Sequence, residues 1–211
     1  MKHKKFIAFA MSALMFAGNG AVFAAGNKSD TIIQALCKVP EIRVTVPETG
    51  TLFINPYKMS IEIDGETTGH QIVSTPGAIL NESPIPISVS ATVTGTIKEG
   101  SDMTLSGASI DPNYTKKKAF IYFEIQPAND PNAVTWDSEF DVEKHIIVRS
   151  STKTKKNIVT LDAFDENGKK KCYGAFRLTG DCAAVPKIPW TEADGVDVTI
   201  AFTFKPAPIV L

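Results

Sequence analysis

Apolar residues recur at every second position along most of this chain. Ile42, Val44 and Val46 alternate with Arg43 and Thr45, and Met59, Ile61 and Ile63 alternate with Ser60 and Glu62. Ile87, Val89, Ala91 and Val93 are separated by Ser88, Ser90 and Thr92, and Val196, Val198, Ile200 and Phe202 by Asp197, Thr199 and Ala201. A period of two sends successive side chains to opposite faces of a strand, so these runs predict half-buried β-structure. Phe120, Tyr122 and Glu124 interleave with Ile121, Phe123 and Ile125. That run predicts a strand covered on both faces. Residues 146–148, 158–164 and 173–178 are further strand candidates.

Side-chain chemistry agrees with the period. Residues 25–211 hold 20 Ile, 14 Val and 20 Thr against 7 Leu. β-branched side chains lose rotamer freedom on a helix and pack well on a pleated surface. Turn signals punctuate the runs at Pro47-Glu48-Thr49-Gly50, Asp64-Gly65-Glu66-Thr67-Thr68-Gly69, Thr75-Pro76-Gly77 and Glu166-Asn167-Gly168-Lys169. Asn167-Gly168 in the last suits a type I′ hairpin turn, which needs positive φ at both central positions. One polar face per strand argues against a parallel α/β sheet. The expected fold is all-β, an antiparallel sandwich or jelly roll of about ten strands. Residues 30–37 are the single short helix candidate. Residues 25–39 read as an N-terminal extension and residues 40–211 as the sandwich. A polar stretch near 111–118 marks where the sandwich would divide if there were two.

The first residues read as a targeting signal. Lys2, Lys4 and Lys5 precede an apolar stretch, and Val22-Phe23-Ala24 is a small-x-small site that predicts cleavage between Ala24 and Ala25. The stretch is shorter than the ~20 residues a membrane span needs. No later window of the mature chain is apolar enough to span a bilayer. Secretion or display at the cell surface is therefore expected. The full chain carries 22 basic and 23 acidic residues. Loss of the three lysines leaves 19 against 23, a charge of −4. That balance gives no pull toward nucleic acid or anionic lipid.

Few residues offer chemistry. Cys172 and Cys182 form a candidate disulfide if residues 173–181 double back to bring their Cα atoms within ~6 Å. Two buried thiols are the alternative, and Cys37 has no assigned partner. Only His70 and His145 follow the signal, neither in a nucleophile or zinc-finger setting. Asp162, Asp165 and Glu166 lie in a loop that fails the calcium template at its third and sixth positions. Asp137, Glu139, Asp141 and Glu143 read as one solvated strand face, although paired carboxylates could cut a glycosidic bond. Lysine runs at 116–118, 153–156 and 169–171 read as solvated loops that would otherwise suit a wall polymer. Trp136 and Trp190 are the candidate glycan contacts. No P-loop, dinucleotide fingerprint or nucleophile elbow occurs, so no cofactor and no enzymatic activity is expected.

The stretch from Gln71 to Val89, which includes Asn81-Glu82-Ser83 followed at once by an apolar strand, resembles exported Gram-positive surface proteins. Val44-Thr45-Val46-Pro47 and Leu52-Phe53-Ile54-Asn55-Pro56 look similar to the start of such domains. WxL-type wall domains and the TasA/camelysin fibre proteins share this style. Trp136-Asp137-Ser138 and Trp190-Thr191-Glu192 depart from the Trp-x-Leu signature. The resemblance implies an extracellular β-sandwich with a structural, adhesive or matrix role. Self-association would follow if residues 25–40, or the C-terminal strand 196–205, complete a neighbour's sheet. A carbohydrate- or wall-binding module is the alternative.

Overall fold

The computed structural model describes residues 6–7, 41–57, 60–63, 66–111, 114–130, 145–151, 155–167, 169–183 and 189–208. The helix candidate at 30–37, Cys37, Trp136 and the acidic row at 137–143 lie outside them. Among the described residues every regular element is a strand.

The chain is an all-β antiparallel sandwich. The larger sheet holds β1 (Phe6–Ile7), β2 (Arg43–Thr45), β7 (Gly77–Asn81), β13 (Tyr173–Cys182), β10 (Lys118–Ala128) and β11 (Ile146–Ile147) in that spatial order. β1 falls within the stretch read as the signal. Beyond β7, β13 also pairs with β6 (Ile72–Ser74), which carries β3 (Leu52–Ile54) on its other side. β9 (Thr104–Leu105) runs parallel to the start of β10. The smaller sheet is β12 (Lys156–Leu161), β8 (Ile87–Ile97) and β14 (Val196–Pro206), with β8 in the middle. β4 (Glu62–Ile63) and β5 (Glu66–Thr67) pair antiparallel, so residues 66 and 67, which the sequence places in a turn, form a strand. Strands from both sides of 111–118 meet in each sheet.

Alternation decides which face each strand buries. On β8, Ile87, Val89, Ala91 and Val93 are fully buried, while the residues between them are half-exposed. They meet Ile121, Phe123 and Ile125 of β10 in one core. β10 is the strand predicted to be covered on both faces, and Ala119 to Ile125 are all buried. Its inner face packs on the smaller sheet. Its outer face carries Phe120, Tyr122 and Glu124, none above 4 % exposed.

Two further sequence expectations change. β13 runs to Cys182, beyond the apolar stretch 173–178, because β10 and β6 supply partners for Thr179 and Gly180 on either side. No alternation marks that half of the strand. Asn167 sits in a loop that carries the chain from β12 in one sheet to β13 in the other, so it closes no hairpin within a sheet. The loop is pinched at its base by Asp162 N donating to Lys171 O at 3.0 Å. Asn81 and Ser83, fully buried, make the crossing from β7 to β8. Asn81 Nδ2 donates to the Ile85 and Asp162 carbonyls (2.9 and 2.6 Å), and its Oδ1 accepts from Ser83 N (3.0 Å). Buried backbone groups at a sheet crossing need such partners.

Glycine is required where strands approach most closely. A Cβ on Gly180 would lie 1.9 Å from the Phe120 carbonyl oxygen. A Cβ on Gly77 would lie 2.4 Å from the Phe176 ring, which occupies the space the missing side chain leaves.

Candidate functional site: an open sheet edge

The two flanks of the sandwich differ. On one flank, residues 146–149 tie the sheets together. Ile146 and Ile147 pair with β10, Val148 N donates to Ile121 O (2.8 Å), and Gly95 N donates to Arg149 O (3.1 Å). On the other flank β14 ends the smaller sheet. All eleven of its residues pair with β8, and among the described residues no strand pairs with its other side. A row of backbone N–H and C=O groups therefore faces outward.

A groove of about 510 Å³ runs beside that edge, between β14 and the larger sheet. Phe176, Leu178, Val198, Ile200 and Phe202 line its apolar part, and Thr49, Thr75 and Pro76 belong to its far wall. Val198, Ile200, Phe202 and Phe204 point to the core side yet remain half-buried, because no described strand covers them from the flank. Three rings hold the edge in place. Phe176 lies 5.5 Å from both Phe123 and Phe202, centroid to centroid. Residues 198–204 are Val-Thr-Ile-Ala-Phe-Thr-Phe. This is an uncharged, β-branched and aromatic segment without Gly or Pro, the composition most prone to accept another strand.

A polar clamp fixes the start of β14. Asp194 accepts hydrogen bonds from Thr191 N (2.7 Å), Ser101 Oγ (2.8 Å) and Lys117 Nζ (2.9 Å). Lys117 reaches Asp102 as well, at 2.8 Å. Burial pushes the Asp194 carboxyl up, but the bonds from Lys117, Thr191 and Ser101 outweigh it and hold it below its ordinary value. Hydrogen bonds to Asp102 and Asp194 raise the Lys117 ammonium. The middle of the 116–118 lysine run is thus buried in a clamp, and Lys118 lies 4.6 Å over the Tyr114 ring.

A second polar cluster lies on the outer face of the larger sheet. Glu124 and Arg177 are direct cross-strand neighbours and are ion-paired. His145 Nε2 sits 2.6 Å from the other Glu124 oxygen. Tyr122, one step along β10, contacts His70 Nε2 through its hydroxyl at 3.3 Å. Burial raises the Tyr122 phenol. Glu124, His145 and Arg177 are at most 5 % exposed, so this charged set is buried under the outer face. Its position at the β10–β13 pairing makes it a register lock. The sequence signal was Glu124 inside an apolar strand, which demands a buried cation in a chain with only three Arg.

The other sequence candidates are dispersed. Cys172 and Cys182 are buried free thiols at opposite ends of β13. The chain between them is one extended strand, and at about 3.3 Å per residue it holds them far beyond bridging distance. The doubling-back on which the disulfide depended does not occur. Burial, with the Asp181 carboxylate adding to it, pushes the Cys182 thiol up to about 12. Trp190 is half-buried against the core, and its indole N–H donates to Ala183 O at 3.1 Å. Trp136 lies outside the described residues. Asp162 and Asp165 accept backbone N–H groups of their own loop. Among the described residues no group of three His, Cys, Asp or Glu side chains is arranged to hold a metal ion, and no helix is long and apolar enough to cross a membrane.

Compared with models of known families, with curated proteins and with solved structures, the chain finds no match.

Proposed function

We propose that this chain is a non-enzymatic, secreted or surface-displayed structural protein whose copies associate by adding strands at a sheet edge. The observation that carries this reading is β14: eleven residues long, unpaired on one side among the described strands, and uncharged from 198 to 204. Natural edges are usually blunted with charge, proline or a bulge. Here Lys205 and Pro206 stand only at the end of the strand. The sequence resemblance to exported surface and fibre proteins points the same way. The test is sedimentation velocity and electron microscopy of the exported protein over rising concentration. Concentration-dependent assemblies are expected, and monodisperse single chains throughout would sink the proposal.

A glycan-binding module is the second reading, and Tyr57 favours it. Tyr57 is 69 % exposed and its hydroxyl is fixed by accepting from Trp190 N at 3.0 Å, which leaves a rigid aromatic face. Retention on insoluble peptidoglycan, lost in Tyr57→Ala, would support it. No retention of the parent protein would end it.

A further inference from the structure

The residue order of β14 is complementary to itself in one register. Asp197, Thr199 and Ala201 are exposed on the outer side of the smaller sheet, as is Lys205 at the far end. Turned antiparallel about Ala201, the strand sets Asp197 opposite Lys205 and Thr199 opposite Thr203. On the groove side the same turn sets Ile200 opposite Phe202 and Val198 opposite Phe204. Each class is a favourable cross-strand pair: opposite charges, two threonines, and aromatic against β-branched. The competing arrangements lose this. Parallel pairing in register sets Asp197 beside Asp197 and Lys205 beside Lys205. A one-residue slip turns the apolar side chains to the wrong face. A two-residue slip leaves both charges opposite neutral residues.

We propose that two copies of this chain pair through β14, antiparallel and two-fold symmetric about Ala201, to join their smaller sheets into one six-stranded sheet. The occupant of the open edge is a second β14. A two-fold contact uses the same patch twice, so every pair named above occurs twice, apart from the central alanines. The grooves beside the two edges leave Ile200 and Phe202 free to meet their partners from the neighbour. This inference rests on the reading that copies associate through a sheet edge, and it fixes which edge and which register.

Charge reversal tests it, because Asp197 and Lys205 are exposed and neither supports the core. Asp197→Lys places Lys opposite Lys at both ends of the interface, and Lys205→Asp places Asp opposite Asp. Each variant should dimerise roughly tenfold or more weakly than the parent in sedimentation equilibrium at low salt. An equal mixture of the two should recover the parent's dimer, because every charge then meets its opposite. Amide exchange in each variant, diluted to the single chain, checks that the fold is kept. An Ile33→Asp variant should dimerise like the parent.

Unchanged dimerisation in both reversals, a mixture that stays monomeric, or a dimer abolished by Ile33→Asp would each overturn the proposal. The last would mean that residues 25–40 take the edge instead. The two levels fail separately. A charge-dependent dimer that never grows into larger assemblies would keep the two-fold contact and remove the matrix role. Larger assemblies indifferent to both reversals would do the opposite.

Discussion

Individual residues carry the close contacts that fix strand position. Gly180 has no room for a side chain, since its missing Cβ would overlap the Phe120 carbonyl. Gly180→Ala should therefore destabilise the sandwich by about 2 kcal/mol or more, read as a lower denaturant midpoint. An unchanged midpoint would show that the strands can separate freely there. Glu124 and Arg177 behave as a unit. Arg177→Met alone leaves a buried carboxylate with His145 as its remaining described partner, and should cost about 3–5 kcal/mol. The double variant Glu124→Gln, Arg177→Met should recover a large part of that loss, and the double-mutant cycle measures it. Thiol reactivity checks the cysteine correction. Cys172 and Cys182 should both resist alkylation at neutral pH until the protein unfolds, and peptide mapping should show no bridge between them.

Elements were legible in the sequence where one face is apolar and the other polar. β8 and β14 announce themselves by alternation, and β10 by being apolar on both faces. The second half of β13 did not, because Thr179, Gly180 and Asp181 carry no apolar period and owe their extended form to partners on both sides. The register lock was half visible. Glu124 stands in a strand that the sequence predicts to be covered on both faces, but nothing local to Arg177 or His145 names them as its partners, since they come together only when β10, β11 and β13 pair. The groove was invisible for the same reason: its walls come from residues 47–52 and 74–77, from Phe176 and Leu178, and from Val196, Val198, Ile200 and Phe202. The clamp at the start of β14 gives a pH prediction at this scale. The Asp194 carboxyl is depressed in the folded chain, so its contribution is present above the unfolded value of about 4. That contribution is lost as pH falls through the lower folded value. Asp194→Asn should flatten this part of the acid limb in a pH series of denaturation midpoints. A limb of unchanged slope would show that the clamp carries no such linkage.

Among its described residues the molecule is a sandwich tied along one flank and open along the other. Residues 146–149 tie the first flank by bonding to both sheets beside β12, the other end strand of the smaller sheet. β14 leaves the second with an apolar groove and a strand that no described strand pairs on its outer side, its residues 198–204 bearing no charge. A chain built this way presents one long strand edge suited to another strand. Amide hydrogen exchange of residues 198–204, measured at low and at high protein concentration, tests the open edge most directly. If copies join there, the outward-facing amides of β14 exchange fast in the dilute sample and become protected in the concentrated one, while the amides of β8 stay protected in both. Equal exchange of β14 at both concentrations would contradict the open edge as the surface through which this protein acts.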